Sequence, residues 1–392
     1  MKKYISLLLV SILLMFSLFG CNKEEEIVRT DYNVNEKDSI SIGVLVPTTG
    51  DNKNVGDDIL EGLNFAKETA PSVNIDKRYE LKLSVYDVNS NIEASAKKLI
   101  DDKVAAVICY AGNEEKTNEV LEGFKTVNTP LLFVDNNSKN IDGVTTAFSM
   151  SLTAAYQASV AAKFLKDEGF KKAAVVYEDN DFHKEYAESF KGTFGAATVC
   201  SYEKFNAKSI VKDYDCAFVA GNNKFAMDVA KKLKNASASF AVMMPEMFDK
   251  TSLSDTLYNG CYFLSKFESD SDNHYVTSFI TMYTQMQEVT SAEITSAIAY
   301  GYDAYMLVYG ALAYFNPMGG DPLSSVKNGS TEQRTETIVT TSQMVEAFGS
   351  KQYDGLVDNQ MVFDDNGYFK PNYVFVDNVE GGIASMFKKF VY

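Results

Sequence analysis

From Ile40 onward, short apolar runs alternate with longer amphipathic stretches. ISIGVLV, starting at Ile40, is apolar on both faces, as a strand inside a parallel sheet must be. After a break at Gly50 to Gly56, Ile59, Leu60, Leu63, Ala66 and Ala70 recur at helical spacing, and LKLSVYD then alternates as a strand. The pattern next predicts a helix through Ile92, Ala96, Leu99 and Ile100, the strand VAAVIC at 104–109, a helix over 114–126 and the strand PLLFV at 130–134. Strands joined by helices in this order are βαβ units, which pair in parallel. The cadence restarts with a helix over 153–167, the strand KAAVVY at 172–177, a helix over 182–194, then ATVCSY, DCAFVA, a helix over 223–234 and SFAVMM. GCYFLSKF at 260–267 closes this second run.

Beyond it the cadence breaks. Two long helices, 275–288 and 293–315, follow with no strand between them, and the second is apolar on most sides, so it needs a wide buried bed. The chain is expected to cross back over the first lobe and then to add strands 360–364 and 372–377 to the second. The fold class is therefore α/β, two similar doubly wound lobes joined by a three-crossover hinge. Lobe 1 takes 40–150 plus about 272–355, and lobe 2 takes 151–271 plus about 356–392.

The chain before Ile40 has a different character. Lys2 and Lys3 precede an apolar run ending in Leu18, Phe19, Gly20 and Cys21. A basic head, an apolar core and a small residue at the cut make residues 1–20 a signal peptide, the run being shorter than the ~20 residues of a spanning helix. A cysteine after Leu-x-Gly also resembles the lipobox of bacterial lipoproteins, which makes Cys21 the lipidation site, the mature N-terminus and the link to a membrane. Residues 21–39 are charged and without apolar periodicity, and read as a flexible tether. Loss of Lys2 and Lys3 would take the formal net charge from −16 to −18. So acidic a surface repels phosphate backbones and excludes nucleic acid as a partner. Cys109, Cys200, Cys216 and Cys261 show no metal or redox spacing. Cys109 and Cys216 read as buried thiols, with a Cys200–Cys216 disulfide as an alternative in an oxidising compartment.

Four strings then resemble one family. SIGVLVPTTGDNKNVGDDILEGLNFAKE is similar to the opening of type I periplasmic binding proteins of the leucine/isoleucine/valine-binding class. FSMSLTAAYQASVAAKFLKDEGFKKAAVVYEDNDFHKEYAESF resembles the central crossover of that family, VMMPEMFDKTSLSD its Pro-Glu segment and MVFDDNGYFKPNYVFV its closing hairpin. They occur in the family's order over about 40–380, nearly all the chain after the leader. The resemblance implies a substrate-binding lipoprotein of an ABC transporter.

In open α/β sheets ligands sit beyond the carboxyl ends of strands, at helix N-termini. The loop of Ala111, Gly112 and Asn113 offers backbone amides to a carboxylate, though Asn113 also suits a plain helix cap. Asp135 and Asn137 end the next strand. By the resemblance, Asn137 stands at a carboxylate-binding position and Asp135 where an uncharged residue is common. Asp135 holds an ammonium in the cleft, rejects acidic ligands by like-charge repulsion, or forms an exposed turn. Glu246, at the end of SFAVMM, matches the carboxylate that takes an α-ammonium. Asn223 matches a wall position, and Phe182 an aromatic that closes over the ligand or staples its own helix to the core. Together these suit a zwitterion. His183 reads as a surface residue or a ligand contact.

No nucleophile elbow, phosphate loop or zinc motif occurs, and FDDNG at 363–367 reads as a hairpin turn, not a calcium loop. The expectation is a monomeric, non-enzymatic receptor for an amino acid or related small polar solute, with no cofactor or metal, serving an ABC permease from the extracytoplasmic membrane face. A sensory module of the same fold is the alternative.

Overall fold

A computed structural model describes residues 28–50, 52–136, 139–248, 251–316 and 337–391. Among them, thirteen strands form two sheets. The first contains β1 (Ser39–Val46), β2 (Ser72–Asn74), β3 (Arg78–Asp87), β4 (Val107–Cys109), β5 (Leu131–Phe133) and β6 (Ala147–Ser149), in the order β2-β3-β1-β4-β5-β6. All neighbours are parallel except the β2–β3 pair. β1 is paired on both edges, and Ile42, Val44, Leu45 and Val46 are fully buried, which is what its unbroken apolar run requires. Helices α1 (Lys53–Thr69), α2 (Ile92–Asp101) and α3 (Glu114–Phe124) connect these strands.

The second sheet holds β7 (Ala173–Tyr177), β8 (Ala197–Ser201), β9 (Cys216–Ala220), β10 (Ala241–Glu246), β11 (Cys261–Ser265), β12 (Tyr373–Glu380) and β13 (Ile383–Val391), in the order β8-β7-β9-β10-β11-β12-β13. Pairing is parallel as far as β11 and antiparallel for β12 and β13. Its helices are α4 (Ala154–Asp167), α5 (Asp181–Phe194), α6 (Ala207–Asp213) and α7 (Asn223–Ala236). The two-lobed doubly wound architecture is thus the one the alternating pattern implies.

After β11 the chain crosses back and forms α8 (His274–Gln287), α9 (Ser296–Ala313) and α10 (Thr341–Ser350) before the last crossover leads to β12. These helices lie against the first lobe. Phe65 of α1 meets Phe279 and Tyr283 of α8 edge-on, with centroids 5.7 and 4.7 Å apart. α9 buries thirteen of its eighteen residues, in keeping with its apolar circumference. It crosses α1 at two glycines: a Cβ on Gly301 would lie 2.2 Å from the Ile59 carbonyl oxygen, and one on Gly62 2.0 Å from that of Ile298. Backbone approaches this close admit no side chain.

The second and third crossovers are tied by a buried ion pair. Lys266 Nζ sits 2.9 Å from Asp358 Oδ2, both side chains being fully buried, and donates also to the Tyr373 carbonyl. Asp303 of α9 accepts from the Leu356 and Val357 amides, and Asn273 donates to the Gly355 carbonyl. Each buried charge is paired and hydrogen-bonded, as its desolvation demands.

The structure departs from the sequence reading in three places. Residues 360–364 form no strand: Met361 and Phe363 make single bridges to Tyr353 and Phe369, and the added pair is β12 with β13. β13 is a largely exposed edge, so its apolar alternation was weak. The tether does not extend to residue 39. Thr30 and Asn33 bridge to Val127 and Thr340, Val34 is buried, and Asp31 accepts from Thr341 and Ser342. Cys200 and Cys216 are free thiols, on β8 and β9 with β7 between them, which excludes the disulfide. Cys21 lies outside the described residues.

Candidate functional site

A cavity of about 700 Å³ lies beyond the carboxyl ends of β1, β4 and β5 in one lobe and of β7, β9 and β10 in the other. Strand ends gather there because parallel pairing points every strand the same way. Three helices begin on its wall, each capped by an asparagine: Asn113, Asn180 and Asn222 accept from the amides of Lys116, His183 and Phe225 at 2.9, 2.8 and 2.9 Å.

Ala111, Gly112, Asn113, Asp135, Phe182, Asn223 and Glu246 all line this cavity, whereas Asn137 lies outside the described residues. Gly112 has φ +78°, and a Cβ there would approach Asn52 Nδ2 at 2.9 Å, so the loop needs glycine. Its amides, expected to face a ligand carboxylate, are already engaged. Asp135 Oδ1 accepts from the Ala111 N–H at 3.1 Å and Oδ2 from the Gly112 N–H at 2.6 Å. Burial pushes the Asp135 carboxyl up to about 6 even with these two donors. Asp135 is therefore a cavity residue and not an exposed turn.

Glu246 ends β10. Pro245 precedes it and has no N–H, and the β10–β11 register shifts between Met243 and Glu246. The Glu246 amide instead donates to Gln157 Oε1 at 2.9 Å. Its carboxylate is 4% exposed and accepts from the Tyr300 hydroxyl at 2.5 Å, a bond from α9 across to the second sheet. Burial raises its pKa to about 7. Asn223 lines the cavity too, but its amide, oriented to satisfy both groups, donates to the Glu246 carbonyl at 2.8 Å and accepts from Phe248 N at 3.3 Å. It braces the strand end.

Phe182 is partly buried against the core as well as lining the cavity, so stapling and closure share one ring. His183, read from sequence as a surface residue, is on the wall with its side chain 13% exposed. Asn180 Oδ1 caps the helix, which leaves its Nδ2 to donate to His183 Nδ1 at 2.8 Å. Glu178 Oε2 lies 3.4 Å from the same nitrogen, and burial lowers the ring's pKa to about 4. Glu178 accepts from both the amide and the side chain of Asn222. Tyr110 and Phe248 meet edge-on across the lobes at 5.9 Å.

Sequence reading missed Gln157, Glu178, Asn222, Phe248 and Tyr300. Glu178 and Asn222 follow strands directly, and the strand-end rule applied throughout would have found them. Gln157 and Tyr300 lie inside helices far off in sequence, where no local pattern marks them.

Two doubly wound lobes, three crossovers and a polar cavity at the facing strand ends define a two-lobed solute-binding protein. The sequence profile of the periplasmic binding protein family matches residues 39–326. The chain belongs to that family, whose type I fold it has. No curated protein sequence matches it significantly. Among solved structures it is similar to a leucine-binding protein, LivK, from Thermotoga maritima (17% identity, 90% of this chain and 98% of the other covered, TM-score 0.72). It is also similar to LivJ of Streptococcus pneumoniae in complex with isoleucine (16%, 89% and 99%, TM-score 0.68). A solute-binding protein of an ABC transporter from R. palustris, in complex with benzoate, shares the fold at 13% identity (90% and 96%, TM-score 0.68). Among the described residues, no helix is long and apolar enough to cross a membrane.

Proposed function

We propose that this chain is the extracytoplasmic receptor of an ABC importer, capturing an amino acid or related small polar solute by hinge closure and releasing it unchanged to a permease. The observation that carries this reading is the cavity itself. Both lobes wall it, and each contributes a buried or partly buried carboxylate, Asp135 from the first and Glu246 from the second. Closure removes water from such a site, so each charge finds its partner in the ligand. Lipid on Cys21 would hold the receptor near its permease and raise the effective concentration.

Small-angle scattering with and without solute tests the motion. A bound solute should lower the radius of gyration and be recovered intact, while a processed solute or an unchanged envelope at saturation contradicts the proposal. Growth on labelled palmitate tests the anchor, since Cys21→Ser should abolish incorporation.

A further inference from the structure

We infer that the ligand presents a cationic nitrogen to Asp135 and carries no carboxylate on the first-lobe side, which makes it an amine or guanidine and not an α-amino acid; the inference rests on the solute-binding reading above. Among the described residues, the amides at the end of β4 are suited to a carboxylate, and Asp135 has occupied them with its own, at 3.1 and 2.6 Å. A ligand carboxylate brought there would meet a like charge and be repelled. Each Asp135 oxygen keeps a second acceptor position, so an N–H donor from the ligand completes the group.

On the rest of the wall carboxylates outnumber lysines, with Glu114, Glu115, Glu178 and Glu246 against Lys116 and Lys224. Glu246 lies at the opposite wall, and Glu178 stands beside it in the second lobe. His183, its pKa lowered to about 4 by burial, adds no positive charge at neutral pH. Lys116 bonds to Asn89 at the rim. The rings of Tyr110 and Phe248 line the same cavity, and their faces attract cations while their area suits a methylene chain.

The test uses compounds differing only in the carboxylate: agmatine against arginine, cadaverine against lysine, isoamylamine against leucine, titrated calorimetrically into the purified protein at neutral pH. The decarboxylated member of each pair should bind at least about tenfold more tightly, the worth of one charge-assisted hydrogen bond. Asp135→Ala frees both amides and should reverse the order, with leucine gaining and agmatine losing about tenfold. Tighter binding of arginine, lysine or leucine to the unaltered protein overturns the inference while leaving the receptor reading intact. Tight binding of none of the six, by folded protein, counts against the inference, and failure of a wider screen of amides, sugars and aromatic acids would count against the receptor reading as well.

Discussion

Replacing Glu246 with glutamine should stabilise the protein while abolishing its binding. Burial lifts this carboxyl from its ordinary 4.5 to about 7, with Tyr300 and the nearby Lys266 only partly offsetting the desolvation. The folded state therefore holds the proton more tightly than the unfolded chain does. That contribution to stability is complete below pH 4.5 and is lost as the pH rises to 7. At about 1.4 kcal/mol per pH unit, the loss comes to about 3 kcal/mol. Glutamine keeps an oxygen for the Tyr300 hydroxyl and carries no charge to desolvate. Glu246→Gln should thus be about 3 kcal/mol more stable than the parent at pH 8 and no different at pH 4. For a chain this long that is a rise of about 4 °C in melting temperature. Asp135 and Asp303, also raised by burial, titrate in both proteins and cancel in the comparison. Differential scanning calorimetry at the two pH values reads the effect. An equal shift at both, or a lower melting temperature at pH 8, would refute the electrostatic reasoning. Sites built to receive a charge commonly cost stability until the ligand arrives.

Two further substitutions test the frame that positions the cavity. Gly301→Ala puts a methyl group 2.2 Å from the Ile59 carbonyl oxygen, and urea unfolding should show α1 and α9 forced apart at a cost of about 1–3 kcal/mol or more; an unchanged midpoint would mean that the crossing is looser than described. Lys266→Met leaves Asp358 buried without its cation and should destabilise by about 3–5 kcal/mol, read by the same titration, a neutral result showing that the pair does not tie the crossovers.

Much of the fold was legible because its signals are strong and local. The alternation of apolar runs with amphipathic helices recovers the parallel strands of both sheets except β6, and the apolar circumference of 293–315 announced a helix buried on most sides. The misses share a physical cause. β13 exposes most of its residues, and β2 and β6 are three residues long, so none offers the alternation that marks a buried strand. Docking of Asp31 and Val34 depends on partners at Val339, Thr341 and Ser342, some three hundred residues away, which no local pattern reveals. At the site, strand-end placement found Asp135 and Glu246. It did not show that Asp135 turns back onto Ala111 and Gly112. That contact puts the protein's own carboxylate on amides the sequence reading offered to a ligand, and it is a property of two loops together.

A solute held between the lobes, against Glu246, should survive purification under native conditions, so that denaturing the protein releases it for identification by mass spectrometry, beside Glu246→Ala prepared identically. A small polar solute, intact and approaching one per chain, should come from the parent and be missing from the variant. Equal content in the two, or release of nothing from the parent even after incubation with candidate solutes, would contradict the account.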